Sequence, residues 1–176
     1  LALAPSSALL IRGKSGIGKT TFLRDLIRQL SAGDAGTPGM KVGVVDERSE
    51  IAACHLGIPQ NDLGPRTDVL DNCPKEHGIH MLLRSMSPQI IAVDELGLPE
   101  DFAAVADCAR CGVSILGTIH AGSVLEVLHR LQMGGLDLIR SQMRLIGLQR
   151  EPDGRRILTV YEGGGNPLWQ GFSEPS

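Results

Sequence analysis

The feature that most constrains this chain is the run at residues 13–20, which reads Gly-Lys-Ser-Gly-Ile-Gly-Lys-Thr. It fills every fixed position of the pattern GxxxxGK[ST] and lies between a short apolar stretch, residues 8–12, and a helical pattern. Glycines let such a loop bend around an anion with its N–H groups pointing inward, and the following helix adds a partial positive charge. The run therefore predicts a loop that binds a nucleoside triphosphate, and it makes hydrolysis the leading hypothesis.

Residues of this loop have distinct predicted roles. Lys19 is expected to reach the β- and γ-phosphates, and the Thr20 hydroxyl is expected to bind Mg²⁺. A mere glycine turn is the alternative, and the strand–loop–helix setting argues against it. The residues predicted to contact ATP are Gly13, Lys14, Ser15, Gly16, Ile17, Gly18, Lys19, Thr20 and Thr21.

Strand and helix patterns alternate along the chain, which predicts an α/β fold with a mainly parallel central sheet. The turn sequence at residues 152–154, Pro-Asp-Gly, lies between two strand patterns and predicts a C-terminal β-hairpin. Residues 56–74 are rich in turn-forming residues and predict a long irregular segment. One ATPase domain is expected over residues 1–162, followed by a flexible, Gly- and Pro-rich tail at 163–176.

Residues 90–95, Ile-Ile-Ala-Val-Asp-Glu, read as a buried strand that ends in two carboxylates. Ligands of open α/β sheets bind at the carboxyl ends of the strands, where the phosphate loop also lies. Asp94 is therefore expected to act on the Mg²⁺ shell, and Glu95 to polarise the attacking water. The alternative is a solvated strand end, which the matched phosphate loop disfavours.

Two further strand ends carry polar groups, at residues 46–50 and 118–120. Both groups could face the γ-phosphate, and His120 could donate a hydrogen bond there and report its loss on hydrolysis. Solvated charges and a helix-entry histidine are the alternatives. The spacing of these residues does not by itself distinguish a role at the γ-phosphate from these alternatives.

The composition narrows the possible partners. Because 17 basic residues face 20 acidic ones, the net charge of −3 gives no general attraction for nucleic acid. Three Phe, one Trp and one Tyr offer few stacking surfaces for single strands, so no nucleic acid partner is expected and a RecA-type DNA-handling protein ranks last. A GTPase is disfavoured because the sequence contains no Asn/Thr-Lys-x-Asp motif for guanine.

Cysteine use and hydropathy predict a cytoplasmic chain. No apolar run approaches the ~18 residues that cross a bilayer, and no signal-peptide pattern is present. The four cysteines are expected to be reduced thiols. Cys108 and Cys111 have the spacing of half a zinc site, but the second pair is missing, so two helix residues near a turn are the alternative.

Two more segments carry a family resemblance. Residues 83–91, Leu-Arg-Ser-Met-Ser-Pro-Gln-Ile-Ile, and residues 117–123, Gly-Thr-Ile-His-Ala-Gly-Ser, resemble the approach to the second Walker motif and the histidine box of the type II and type IV secretion ATPase superfamily. This resemblance covers roughly residues 8–162. It implies a RecA-like P-loop core, Mg²⁺-dependent ATP hydrolysis, and a hexameric ring on the cytoplasmic face of a membrane.

The resemblance also implies site roles. Glu95 matches the Walker-motif glutamate, His120 matches the histidine-box residue, and residues 46–50 match the acidic box. The implied catalytic residues are Lys19, Glu47, Glu95 and His120. Asp94 departs from the many secretion ATPases that carry Gly at that position, and restores the usual P-loop arrangement.

Residues 44–51 are especially similar to a sporulation member of the superfamily. The similarity implies a protein peripheral to the inner membrane on the mother-cell side, powering or organising a channel complex of integral membrane proteins. The sequence is interpreted as a fragment without an N-terminal domain that in relatives helps complete the subunit interface. Arg48, Arg66 and Arg84 are candidates for an arginine supplied by a neighbouring subunit. A nucleotide-dependent scaffold with little turnover is the alternative function.

Overall fold

One large sheet organises the chain. The computed structural model describes residues 8–34 and 37–172. The strands are β1 (Ala8–Gly13), β2 (Gly33–Asp34), β3 (Thr37–Pro38), β4 (Val42–Asp46), β5 (Thr67–Asp71), β6 (Ile90–Leu96), β7 (Ser114–His120), β8 (Met143–Arg150), β9 (Arg156–Glu162) and β10 (Pro167–Phe172). The helices are α1 (Lys19–Ala32), α2 (Lys75–Ser85), α3 (Pro99–Arg110) and α4 (Val124–Met133), with a 3₁₀ helix at Asp137–Gln142.

Eight of these strands form the sheet in the order β10-β9-β8-β1-β7-β6-β4-β5, and β2 pairs separately with β3. The six strands from β8 to β5 in this order are mutually parallel, whereas β9 and β10 add on as antiparallel neighbours of β8. The predicted α/β fold with a mainly parallel sheet and a C-terminal β-hairpin is therefore confirmed. Because the strands are parallel, β1, β4, β6 and β7 all end at the same edge of the sheet.

Both faces of the sheet are covered, which is why the central strands are continuous apolar runs. Every residue of β1 is buried. On one face, Leu10 packs in a core with residues of α2, α3 and α4. On the other face, Leu9 and Ile11 pack in a core with Leu23 and Ile27 of α1. Strand alternation thus fixes β1, and with it the start of the phosphate loop, between two cores.

Two sequence predictions were wrong. Residues 67–71 lie inside the segment expected to be irregular, but they form β5, which pairs in parallel with β4. Residues 167–172 lie inside the expected flexible tail, but they form β10 on the hairpin. Both are edge strands without a fully buried residue, so their stability comes from pairing with a neighbouring strand and leaves little trace in local hydropathy. Residues 173–176 lie outside the described residues.

Candidate functional site

The loop between β1 and α1 is shaped to present backbone N–H groups. Gly18 has φ 100° and ψ 23°, a left-handed conformation that glycine adopts without the strain of a side chain. Helix α1 begins directly after it, and no side chain caps its first turn. The unpaired N–H groups and the positive end of the helix dipole therefore face the loop, which is the arrangement that binds a phosphate.

Lys19 reaches back across this loop. Its Nζ donates a hydrogen bond to the carbonyl oxygen of Lys14 at 3.0 Å. Partial burial lowers the pKa of Lys19 below its usual value, and the charges of Asp94 and Glu95 partly oppose that shift. The ammonium group is thus a partly desolvated cation, whose charged form a bound phosphate would stabilise.

The predicted Walker residues meet although 74 positions separate them in sequence. Thr20 Oγ1 donates to Asp94 Oδ2 at 2.8 Å. The hydroxyl of Thr118 donates to the other oxygen, Oδ1, of the same carboxylate. Hydroxyl and carboxylate oxygens are the hard ligands that Mg²⁺ prefers, so Thr20 and Asp94 fit the predicted magnesium site.

Glu95 lies on an irregularity of β6. The register with β7 shifts between Val93 and Leu96, and Glu95 has φ 54°, a left-handed conformation that costs a non-glycine residue about 1–3 kcal/mol. The Glu95 N–H donates to Thr118 Oγ1 at 2.8 Å, which helps to hold this conformation. Strain of this kind is concentrated at functional sites, and here it turns one carboxylate away from the regular strand.

The carboxylate of Glu95 forms an ion pair with Arg48. Arg48 Nη1 lies 2.7 Å from Glu95 Oε2. Both side chains are more than half exposed, with relative areas of 65% and 54%, so the pair is screened by water and easily exchanged. Arg48 therefore contacts the site of its own chain.

The acidic residues after β4 have divided roles. Asp46 is 1% exposed and accepts hydrogen bonds from the backbone N–H groups of Glu50 (2.9 Å), Ile51 (3.0 Å) and Ala52 (2.7 Å). Asp46 therefore holds the turn that follows β4. Glu47 instead points to Lys75, with 2.5 Å between Oε2 and Nζ.

A small cavity joins these groups to the second Walker motif. It has a volume of about 20 Å³, enough for one water molecule. Charged side chains surround it: Asp46, Glu47, Arg48, Glu50, Lys75, Asp94 and Glu95. A water here would have several hydrogen-bond partners and would lie next to the predicted base.

His120 ends β7 at the same edge of the sheet. It is paired in register with Gly13, the first residue of the phosphate loop, and it is exposed. The Gly122 N–H, 2.9 Å from Glu126 Oε2, is the main cause of a lowered pKa at Glu126, to which Arg130 and His120 also contribute. His120 thus lies beside both the loop and the start of α4.

Sequence reasoning missed Arg12, and it placed Thr118 at the site without its role as a link between Asp94 and Glu95. Thr118 is fully buried and joins Asp94 to the backbone of Glu95. Arg12, 3% exposed, donates to the Gly122 carbonyl at 3.2 Å and to the Tyr161 hydroxyl at 3.4 Å. The sequence feature that could have indicated both roles is a polar or charged residue inside an apolar strand, next to a motif.

The other two candidate arginines lie at the opposite edge of the sheet. Arg66 directly precedes β5 and donates to the Ser31 carbonyl at 3.2 Å. Arg84 is in the last turn of α2, which ends before β6 begins. A role for either in a neighbouring subunit stays a prediction.

The cysteines show no metal site. Among the side chains that the structure describes, no three or more from His, Cys, Asp or Glu are grouped to hold a metal ion. Burial raises the pKa of Cys108 to about 12, whereas Cys111 is exposed. Within residues 8–34 and 37–172, none of the helices has the length and hydropathy needed to span a bilayer.

Solved structures share this fold. The X-ray structure of the Legionella pneumophila ATPase DotB superimposes with a TM-score of 0.64 at 21% identity, covering 90% of this chain and 45% of DotB. The crystal structure of the pilus retraction motor PilT with bound ADP gives a TM-score of 0.59 at 16% identity, covering 98% of this chain and 48% of PilT. At these identities the likeness shows the fold alone.

Sequence comparison identifies the family. Stage III sporulation protein AA of Bacillus subtilis (strain 168) is 42% identical over 159 residues, which are 90% of this chain and 52% of that protein. The chain thus spans about half the length of this relative. The family model for sporulation stage III, protein AA, matches residues 5–168. The chain therefore belongs to the sporulation stage III protein AA family.

Proposed function

We propose that this chain binds ATP with Mg²⁺ at residues 13–20 and hydrolyses it. The observation that carries the proposal is the 2.8 Å hydrogen bond between Thr20 and Asp94. It joins the phosphate loop after β1 to a carboxylate on β6, although β7 lies between these strands. This juxtaposition supports a magnesium-dependent nucleotide site more specifically than the loop sequence does alone.

The loop supplies the phosphate contacts. Backbone N–H groups and the start of α1 would bind the phosphate oxygens, and Lys19 would exchange the Lys14 carbonyl for the β- and γ-phosphates. Thr20 and Asp94 would hold Mg²⁺, which when bound neutralises charge on the phosphate oxygens. His120, beside Gly13, would approach the γ-phosphate from β7.

Glu95 is the proposed base. Its carboxylate would orient and polarise the attacking water, for which the small cavity beside Glu47 and Lys75 offers a position. Arg48 must first leave Glu95, and because the pair is exposed this costs no more than about 1 kcal/mol. Once free, Arg48 can pair with the negative phosphate instead.

The family and the neighbouring folds suggest where this chemistry is used. We propose a chain peripheral to a membrane that powers or organises a channel complex of integral membrane proteins during sporulation. Proteins that share its fold include the ATPase DotB and the pilus retraction motor PilT. Assembly into a hexameric ring, with an arginine from a neighbouring subunit completing each site, belongs to the same proposal.

A second candidate is a scaffold that binds ATP with little turnover. The ion pair between Arg48 and Glu95 is the observation that favours it, because while the pair is closed the carboxylate binds a cation instead of a water molecule. Both functions include ATP binding, and they differ in the rate of ATP hydrolysis.

Steady-state turnover of Mg·ATP across a range of protein concentrations separates them. We expect activity that rises more than linearly with concentration and is lost in both Lys19→Ala and Glu95→Gln. Glu100→Gln, an exposed glutamate five positions from Glu95, is the matched control and should be unaffected. ATP binding without turnover at any concentration would favour the scaffold, and absence of ATP binding would overturn both functions.

A further inference from the structure

A large cavity adjoins the phosphate loop on the hairpin side. Its volume is about 1040 Å³, and Gly18 and Thr21 of the loop and α1 form part of its wall. Most of the remaining wall is apolar and comes from α1 and the last three strands: Phe22, Leu148, Ile157, Leu158, Trp169 and Phe172. The walls continue directly into the loop that carries the predicted phosphate contacts.

The sheet order places this cavity opposite the catalytic carboxylates. Strand β1 has β8, β9 and β10 on one side, and β7 and then β6 on the other. Asp94 and Glu95 lie on β6, so they mark the side of the loop where the γ-phosphate and its water would lie. A nucleotide has its base at the end remote from the γ-phosphate, and the base must therefore leave the loop toward the hairpin.

We infer that the cavity binds the purine base and ribose of the nucleotide, with the indole of Trp169 as its stacking surface. This inference rests on the proposed function, because it assigns the other half of the same ligand. Flat apolar walls with a few polar edges are what a purine base requires, and the volume exceeds that of a nucleoside.

Trp169 is already oriented for stacking. Residues 169 and 171 lie on the same face of β10, and a Cβ added to Gly171 would overlap the indole ring. The ring therefore lies over its own strand, and glycine at 171 leaves the space that it needs. Trp169 is nonetheless 57% exposed, so its other face is open to a ligand. A ring fixed on one side and open on the other loses little entropy when a base stacks on it.

Trp169 is the single tryptophan of the chain, so its fluorescence reports on this cavity alone. Emission and calorimetric affinity are measured for Mg·ATP and for inorganic tripolyphosphate, which has the phosphates but no base. We expect ATP to change the emission, tripolyphosphate alone to bind without changing it, and tripolyphosphate added to the ATP complex to reverse the change by competition. Trp169→Ala should weaken ATP about tenfold, the order of one lost stacking contact, and leave tripolyphosphate affinity unchanged.

Two further variants control for damage to the hairpin. Leu168→Ala removes an exposed apolar neighbour on β10 that does not line the cavity, and should bind ATP normally. Gly171→Ala keeps the tryptophan but displaces its ring, and should weaken ATP selectively. Equal ATP affinity in Trp169→Ala and the unchanged chain would overturn the base site while leaving the phosphate site intact. If neither ATP nor tripolyphosphate binds, the proposed function is overturned together with this inference.

Discussion

Two neighbouring strands of this sheet carry the same three residues, Val-Asp-Glu, around their carboxyl ends and use them differently. Val45 and Asp46 are the last two residues of β4 and Glu47 follows that strand, whereas Val93-Asp94-Glu95 lies near the end of β6. The two strands are parallel and directly paired, with Val45 opposite Val93. The tripeptide sequence and the strand direction are therefore matched between the two segments.

The difference lies in what surrounds each aspartate. The carboxylate of Asp46 stabilises its own turn, because it accepts hydrogen bonds from three backbone N–H groups that follow it. Asp94 instead receives hydroxyl groups from two other chain segments, Thr20 and Thr118, while the strand bulges at Glu95. The same tripeptide thus stabilises a turn in one strand and joins the candidate nucleotide site in the other. Its role is decided by the residues that meet it, many of them distant in sequence.

The largest effect is expected from Asp94→Asn. Turnover of Mg·ATP should fall about 10³-fold, because the substitution removes the negative ligand expected to hold Mg²⁺. The free energy of unfolding should change by less than about 1 kcal/mol, since the asparagine oxygen can still accept a hydrogen bond from Thr118 and its NH₂ group can donate one to the hydroxyl oxygen of Thr20. Steady-state kinetics and urea unfolding measure the two quantities. A large loss of stability with normal turnover would contradict this prediction, because it would mean that Asp94 stabilises the fold as Asp46 does.

Asp46→Asn should show the reverse pattern. Loss of the charge that receives three N–H groups is expected to lower the free energy of unfolding by about 3 kcal/mol, because hydrogen bonds to charged groups are the stronger class. Turnover measured well below the unfolding transition should fall by less than about tenfold. Urea unfolding of this variant and of Asp94→Asn, side by side, tests the contrast. Equal stability of the two variants would contradict it.

The smallest effect concerns the pH dependence of phosphate binding. The pKa of Lys19 is lowered by burial and partly restored by the charges of Asp94 and Glu95. Affinity for tripolyphosphate without Mg²⁺ should therefore fall as the pH rises through this lowered pKa, below 10.5, because the lysine loses its charge. Asp94→Asn should move that fall to lower pH, whereas Asp46→Asn should leave it in place. Calorimetric titrations from neutral to alkaline pH follow the change. Identical shifts in both variants would contradict a specific electrostatic effect of Asp94 on Lys19.

Local sequence predicted the features whose residues are adjacent in the chain. The phosphate loop at residues 13–20, the strand that ends in Asp94 and Glu95, and the hairpin turn at residues 152–154 each depend on a short pattern with its own physical reason. The family resemblance, carried by residues 83–91 and 117–123, was confirmed by the family match over residues 5–168. The roles of individual site residues stay predictions.

Features that depend on distant partners could not be predicted in this way. Only Val69 and Leu70 are apolar in β5, so its pairing with β4 is invisible in the hydropathy. The sequence Val-Asp-Glu surrounds both Asp46 and Asp94, so it does not indicate which of the two carboxylates accepts the hydrogen bonds of a turn. Trp169 lines the same cavity as the phosphate loop only because β8 pairs with β1, β9 with β8 and β10 with β9.

The central position of β1 also governs how the chain can fold during synthesis. Its two neighbours, β7 and β8, begin at Ser114 and Met143, more than a hundred residues later. At ~5–20 residues per second, β1 leaves the ribosome on the order of ten seconds before either neighbour is complete. During that interval both of its edges lack their native partners, which invites pairing between nascent chains. The strand that carries the phosphate loop is thus the one whose protection from aggregation, by chaperones or by slow release, matters most.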